Sequence, residues 1–234
     1  MGPAPRFVLF GLPHVAALLA AAAAAGGLAL LARRSEAASR AVRVGLAALL
    51  LAATAAYLFV VGREARLDVW DVVPLHLCDF LIFVAVFALL TRHQRATELL
   101  YFWSCTGTLL AMVTPDLGEG FPDWRFLTYF LLHGGVVAAA VVLVFGLGLR
   151  PRPGAAWRAF LLTNAYAAVV YAVDVAFDRN FLYLRGKPYA STLLDWMGPW
   201  PLYILVVEAV ALMLFALLEA PFLLRRLRPA ESSR

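Results

Sequence analysis

Residues 42–61 read VRVGLAALLLAATAAYLFVV, twenty positions with one charge, Arg43, near their start. At 1.5 Å per residue such a run crosses the ~30 Å hydrocarbon core of a bilayer as a helix. Its hydrophobicity is continuous and lacks the alternation of a membrane β-strand, and a helix satisfies its own backbone groups in lipid. Working outward, runs of the same character lie at 7–32, 72–90, 97–113, 126–149, 157–177 and 200–224. Together they predict an all-α polytopic membrane protein, a single domain of seven transmembrane helices over residues 1–234. Composition agrees: 63% of the 234 residues are hydrophobic and 15% charged, an excess no single globular core can hide. A mean hydropathy of +0.81 excludes disorder, and two cysteines are too few for a secreted disulfide scaffold. Turn chemistry separates the runs, as at Thr114-Pro115-Asp116 and Arg150-Pro151-Arg152-Pro153-Gly154. The connection from Asp178 to Pro199 is the long one. The first run exceeds a signal peptide in length and is followed by Arg33-Arg34, so it reads as an anchor helix.

The net charge of +5 comes from nineteen arginines and Lys187, scattered in the interruptions between apolar runs. That pattern speaks to membrane orientation and against nucleic-acid binding. Counted on alternate sides, thirteen cations (Arg33, Arg34, Arg40, Arg43, Arg92, Arg95, Arg150, Arg152, Arg158, Arg225, Arg226, Arg228 and Arg234) face seven (Arg6, Arg63, Arg66, Arg125, Arg179, Arg185 and Lys187). The seven share their side with Glu64, Asp68, Asp71, Asp116, Glu119, Asp123, Asp178 and Asp195. The positive-inside rule then predicts a plasma-membrane protein with its N-terminus outside and its C-terminus in the cytoplasm. No internal repeat suggests an inverted-repeat transporter.

Given this orientation, His14, His76, Cys78, Asp79, His133, Asp174 and Glu208 all fall near the outer ends of their spans. Polar groups are costly in lipid and face the bundle interior or a wet cavity, so their common depth predicts one pocket open to the outer leaflet. Helix-to-helix bonding is the competing reading for each, above all for His14 and Asp174. His76 and Asp79, three apart, share a helix face, whereas Cys78 points elsewhere and needs its base from another helix. His133 lies at similar depth in the fifth span, and Gly134-Gly135 after it lets a neighbouring helix come close. A thiol becomes a nucleophile on deprotonation, for which an adjacent imidazole is the usual base; inert packing is the alternative for Cys78. Three histidines and Asp79 could also hold zinc, but no HxxxH pair puts two ligands on one face, and no cofactor is expected. Cys105 could pair with Cys78 only if geometry allows. The connection after Asp178 puts three cations on the acidic side, interleaved with aromatics and followed by Trp196, Trp200 and Tyr203. That is the composition of a segment at the headgroup level, with Arg185 and Lys187 available to lipid phosphate.

Several strings resemble a known family. Pro74-Leu75-His76-Leu77-Cys78, Tyr101-Phe102-Trp103 with Gly107, Thr114-Pro115-Asp116, His133-Gly134, Asn180-Phe181-Leu182-Tyr183 with Lys187-Pro188, and Gly198-Pro199-Trp200-Pro201 with Tyr203 look like the bacterial YwaF-like integral membrane proteins, over about residues 57 to 220. That family is similar to vertebrate transmembrane protein 164, understood as an acyltransferase working on ether phospholipids through a cysteine. More distantly it resembles membrane threonine hydrolases of fatty-acid esters. Phe181 stands where a second tyrosine is expected. The resemblance implies a lipid acyltransferase with Cys78 as nucleophile and His133 as base. His76 and Asp79 would orient them, and Asp174, Asn180, Tyr183, Arg185, Lys187, Trp200 and Glu208 would support the site or bind substrate. Phospholipid and lyso-phospholipid are the partners it implies. A metal-dependent lipid hydrolase, or a transporter in which Asp79, Asp174 and Glu208 titrate, are the alternatives.

Overall fold

The computed structural model describes residues 5–63, 68–187 and 193–227. Glu64, Arg66, Pro188, Arg228 and Arg234, which enter the sequence reading, lie outside the described residues. The described chain is all-helical, with a single isolated bridge, Arg6 to Glu119, as its only extended pairing. Contacts gather into two compact units, one within residues 1–150 and the other within 151–234. Among the described residues five helices are long and apolar enough to cross a membrane: α1 (Leu12–Ala32), α2 (Glu36–Val61), α6 (Trp124–Val141, continued by a π-turn, Val142–Gly146), α7 (Ala155–Phe177) and α8 (Leu202–Leu227). The third run forms a shorter apolar helix, α3 (Leu77–Thr91). The fourth is α4 (Gln94–Trp103), a π-turn (Ser104–Thr108) and α5 (Leu109–Val113) in unbroken succession. Seven apolar segments are therefore helical, of which five meet the length and composition needed to span.

Local chemistry explains where helices begin. α1 starts five residues later than hydropathy suggests, because Gly11 is its N-cap and Pro13 sits in its first turn. The residues ahead of it run extended along the α5–α6 connection, with Phe7 N–H donating to the Gly118 carbonyl at 2.9 Å. α3 likewise begins at Leu77 and not at 72. Pro74 disfavours helix in the residue before it, and His76 takes the extended N-cap conformation. Ser35, His93 and Asp123 cap α2, α4 and α6 through side chains that accept a backbone N–H.

In the first unit α6 is the central helix, packed by α1, α2 and α3. Small residues make that possible. A methyl on Gly134 would stand 3.1 Å from the Ala21 methyl, one on Gly135 2.8 Å from Leu50 Cδ2, and one on Gly146 3.2 Å from the Ala29 backbone. Gly134 and Gly146 thus meet alanines of α1 and Gly135 meets α2, the close approach that small residues favour between membrane helices. At the far end, buried Arg43 donates to the Leu89 carbonyl at 2.7 Å, closing the C-terminus of α3. In the second unit α7 packs on α8. Glu219 of α8 reaches the α7 N-terminus, its carboxylate accepting from Ala155 N–H at 2.9 Å and Ala156 N–H at 3.3 Å. A buried carboxylate there meets both the orphan donors and the positive end of the helix dipole.

Candidate functional site

Cys78 and Asp79 occupy the second and third positions of α3, directly after the N-cap His76. The Leu77 and Cys78 N–H groups, orphaned as first-turn donors are, have no protein partner among the described residues; the Asp79 and Phe80 N–H groups both bond the His76 carbonyl, at 3.1 and 3.0 Å. His76 is not on a helix face with Asp79, since it precedes the helix, but the two lie within electrostatic reach of each other. Beside this turn, α2, α6 and the segments 72–74 and 116–117 enclose a cavity of about 490 Å³, a volume in the range of small-molecule sites. Its walls are apolar, with Leu58, Val61, Ile82, Phe83 and Leu132. Its polar surface carries Asp79, Asp116, Arg125, Tyr129 and His133. Cys78 does not line it; the half-buried thiol lies close to Asp79 and the Thr108 hydroxyl.

His133 is held from its own helix. Its Nδ1 is 2.8 Å from the Tyr129 carbonyl, and a carbonyl only accepts, so Nδ1 carries the proton. Neutral imidazole then keeps its basic lone pair on Nε2, which has no protein partner among the described residues. The Tyr129 ring stacks on the imidazole at 4.0 Å between centroids and 22° between planes, and its hydroxyl donates to the Ala111 carbonyl at 2.7 Å. That same tyrosine lies within electrostatic reach of Cys78 and Asp116. Tyr129 thus orients the imidazole twice, by carbonyl and by ring, and links it to the neighbourhood of the thiol. The sequence reading passed over it, although a tyrosine four residues before a histidine on a helix is a spacing that stacks.

Thr108 is a second residue the sequence reading missed. Its side chain is 2% exposed and its hydroxyl has no formed hydrogen bond, an omission worth about 1–3 kcal/mol in a buried site. The thiol of Cys105 is free, as is that of Cys78, so the two do not pair.

Other residues singled out by sequence serve elsewhere. His14, 1% exposed, accepts from Phe10 N–H at Nδ1 and donates from Nε2 to the Met112 carbonyl, both at 2.9 Å. Rings of Phe7, Phe10 and Phe130 surround it. With both nitrogens committed it ties α1 to the end of α5 and has no lone pair for a metal. Among the described residues no three His, Cys, Asp or Glu side chains are grouped to hold a metal ion.

In the second unit the polar residues hold one another. Asp174 is fully buried and accepts from Phe181 N–H at 2.9 Å. Asn180 spans its loop, accepting from Arg185 N–H at 2.9 Å and donating to the Gly186 carbonyl at 2.8 Å. One arm of the Arg185 guanidinium closes the α7 C-terminus, donating to the Asp174 and Arg179 carbonyls at 3.0 Å and to Asp178 Oδ1 at 2.8 Å. Trp200 donates to the Leu184 carbonyl at 2.9 Å, and Tyr203 to that of Tyr183. Lys187 sits 3.9 Å from Asp195 and over the Tyr203 ring. Glu208 accepts from Asn164, 2.8 Å away, joining α8 to α7. Asp174 and Glu208 make these contacts within residues 151–234, and the cavity beside Cys78 is lined from residues 54–133.

No curated protein and no solved structure matches the chain. A family model does, from residue 9 to residue 219, a stretch that includes α3, the cavity, His133 and the whole 178–203 connection. Over that length the match leaves no doubt of kinship: the chain belongs to the TMEM164 family.

Proposed function

We propose that this chain is a lipid acyltransferase of the membrane, moving a fatty acyl group from a phospholipid to a lyso-phospholipid through a thioester at Cys78. One observation carries the reading: His133, locked by the Tyr129 carbonyl so that Nε2 is its basic nitrogen, lines an amphipathic cavity that abuts the helix turn bearing Cys78. The apolar walls suit an acyl chain, and the charged residues Asp79, Asp116 and Arg125 suit a headgroup. In the first half-reaction Nε2 takes the Cys78 proton, sulfur attacks the ester carbonyl, and the C–O bond breaks. The departing lyso-lipid oxygen takes the proton back from the imidazolium. In the second half the acceptor hydroxyl gives its proton to Nε2 and attacks the thioester, and the C–S bond breaks to restore the thiol. Negative charge on the tetrahedral oxygen falls near the Leu77 and Cys78 N–H groups at the positive end of α3.

This reading takes all seven apolar segments as spans. α3 is about 22 Å long at 1.5 Å per residue, and its preceding 69–76 segment completes the crossing. The α4–α5 succession covers Gln94 to Val113, long enough at about 30 Å; Arg95 and Glu98 in its first turns are what lower its apolar character. The N-terminus is then outside and the cavity opens toward the outer leaflet.

The test uses purified protein in detergent or nanodiscs with acyl-labelled phospholipid. Hydroxylamine-sensitive label is expected on wild type and on Cys105→Ala and absent from Cys78→Ala. His133→Ala is expected to slow labelling by about 10²–10⁴. Label persisting on Cys78→Ala overturns the thioester. Lipid hydrolysis without protein label and abolished by a chelator makes the protein a metal-dependent hydrolase instead.

A further inference from the structure

Among the described residues Thr91, Thr97, Thr106, Thr114, Thr128 and Thr163 turn their hydroxyls back on the carbonyl four residues earlier, the usual resting place of a threonine inside a helix. Thr108 does not. It closes the π-turn Ser104–Thr108, where the Leu109 N–H bonds the Ser104 carbonyl five residues back. The wider turn lets the chain pack against the start of α3, where a methyl on Gly107 would stand 3.4 Å from Leu77 Cδ2. The outcome is a buried hydroxyl that makes no hydrogen bond and lies close to the Cys78 thiol. Single π-turns inside helices cluster at functional sites, and a buried polar group left without a partner calls for an explanation.

We propose that Thr108 is a positioning residue for Cys78: its hydroxyl donates to the sulfur once the thiol has lost its proton, holding one rotamer of the thiolate and supporting its charge. The assignment deepens the acyltransfer reading and rests on Cys78 being the nucleophile. The proton balance is simple. The S–H proton leaves to a base, His133 Nε2 in that reading, while the Thr108 O–H keeps its own proton and only directs it at sulfur. Such a donor matters here because Asp79, the next residue, places a carboxylate near the same sulfur and Tyr129 a phenol. Neither group offers the thiolate a favourable charge. A hydrogen bond to the ionised form then adds to the support given by the imidazolium that has taken the proton.

The experiment measures the rate at which a small alkylating reagent modifies Cys78 at fixed neutral pH, in full-length protein carrying Cys105→Ala, alongside the thermal unfolding temperature. Thr108→Val keeps shape and removes the donor. It is expected to lower the alkylation rate about tenfold while the protein unfolds at or above the wild-type temperature, since an unbonded polar group has been replaced by an apolar one. Thr108→Ser restores the donor and is expected to recover the rate to within about twofold. Thr106→Val removes a hydroxyl on the same π-turn that is already bonded to the Phe102 carbonyl; its rate is expected to stay that of the parent. Alkylation of Thr108→Val at the parent rate overturns the proposal. So does a Thr108→Ser protein as slow as Thr108→Val. Alkylation reports on the thiol whether or not it takes an acyl group. A chain that passes this test and carries no acyl label loses the acyltransfer reading alone; one that carries label and fails it loses Thr108 alone.

Discussion

A histidine in an apolar interior is held or free according to what its two ring nitrogens meet, and His14 and His133 answer differently. Both nitrogens of His14 are bonded to backbone. His14→Ala would leave the Met112 carbonyl and Phe10 N–H unpaired and open a cavity among three aromatic rings, so it is expected to destabilise the protein by about 2–4 kcal/mol. Alkylation of Cys78 in the molecules that remain folded should be unchanged, which separates a tie from a catalytic group. His133 has one nitrogen bonded and one available, and Tyr129 decides which. Tyr129→Phe keeps both the ring and the carbonyl, losing only the bond to Ala111, and acyl labelling is expected to stay within about tenfold of wild type. Tyr129→Ala removes the stacked ring and lets the imidazole turn. A misplaced catalytic group costs about 10² in rate, and initial rates of labelling check both values. Equal rates for the Ala and Phe variants would remove Tyr129 from the site.

At the scale of elements, hydropathy found every apolar segment because burial in lipid demands a run of the right length. It placed the starts of α1 and α3 too early because it does not register the cap conformations of Gly11 and His76 or the constraint of Pro74. It could not reveal the π-turn at Ser104–Thr108, since one extra residue in a turn leaves no mark on composition. Thr108 was invisible for that reason; Glu219 was legible, since an acid inside Leu217–Leu224 carries the same signal as Glu208, but it lies at the inner end of its span, apart from the outer-end cluster. Gly134 and Gly135 were legible as small residues at a close contact. Gly146 was not, although it lies inside the run 126–149, because no second small residue stands beside it to mark a contact. A side chain there meets the Ala29 backbone, which cannot swing aside. Gly146→Val is therefore expected to lose about 1–3 kcal/mol, whereas Gly135→Ala meets the movable tip of Leu50 and should lose less; unfolding temperatures in one detergent rank the two.

For the whole molecule, the charge bias and the helix count make one joint statement that labelling can break. In a seven-span chain with its N-terminus outside, Arg34 after α1 and Arg95 at the start of α4 face the cytoplasm, and Gly118 after α5 faces out. All three positions accept a cysteine: Arg34 and Arg95 are exposed, and nothing lies within 4 Å of a methyl built on Gly118. In a background lacking Cys78 and Cys105, a membrane-impermeant thiol reagent applied to intact cells should label Gly118→Cys and spare the other two until the membrane is opened. The pair Arg95 and Gly118 is the discriminating one, because only the α4–α5 succession lies between them. If both react from outside while Arg34 is spared, neither α3 nor that succession crosses and the count falls to five, with α6 still entering from the outside. The reverse pattern, Arg34 and Arg95 labelled and Gly118 spared, keeps seven spans and inverts them. The cavity lies at the end of the first unit where α2 finishes and α3 and α6 begin, so inversion would open it to the cytoplasmic leaflet and draw its lipid from there.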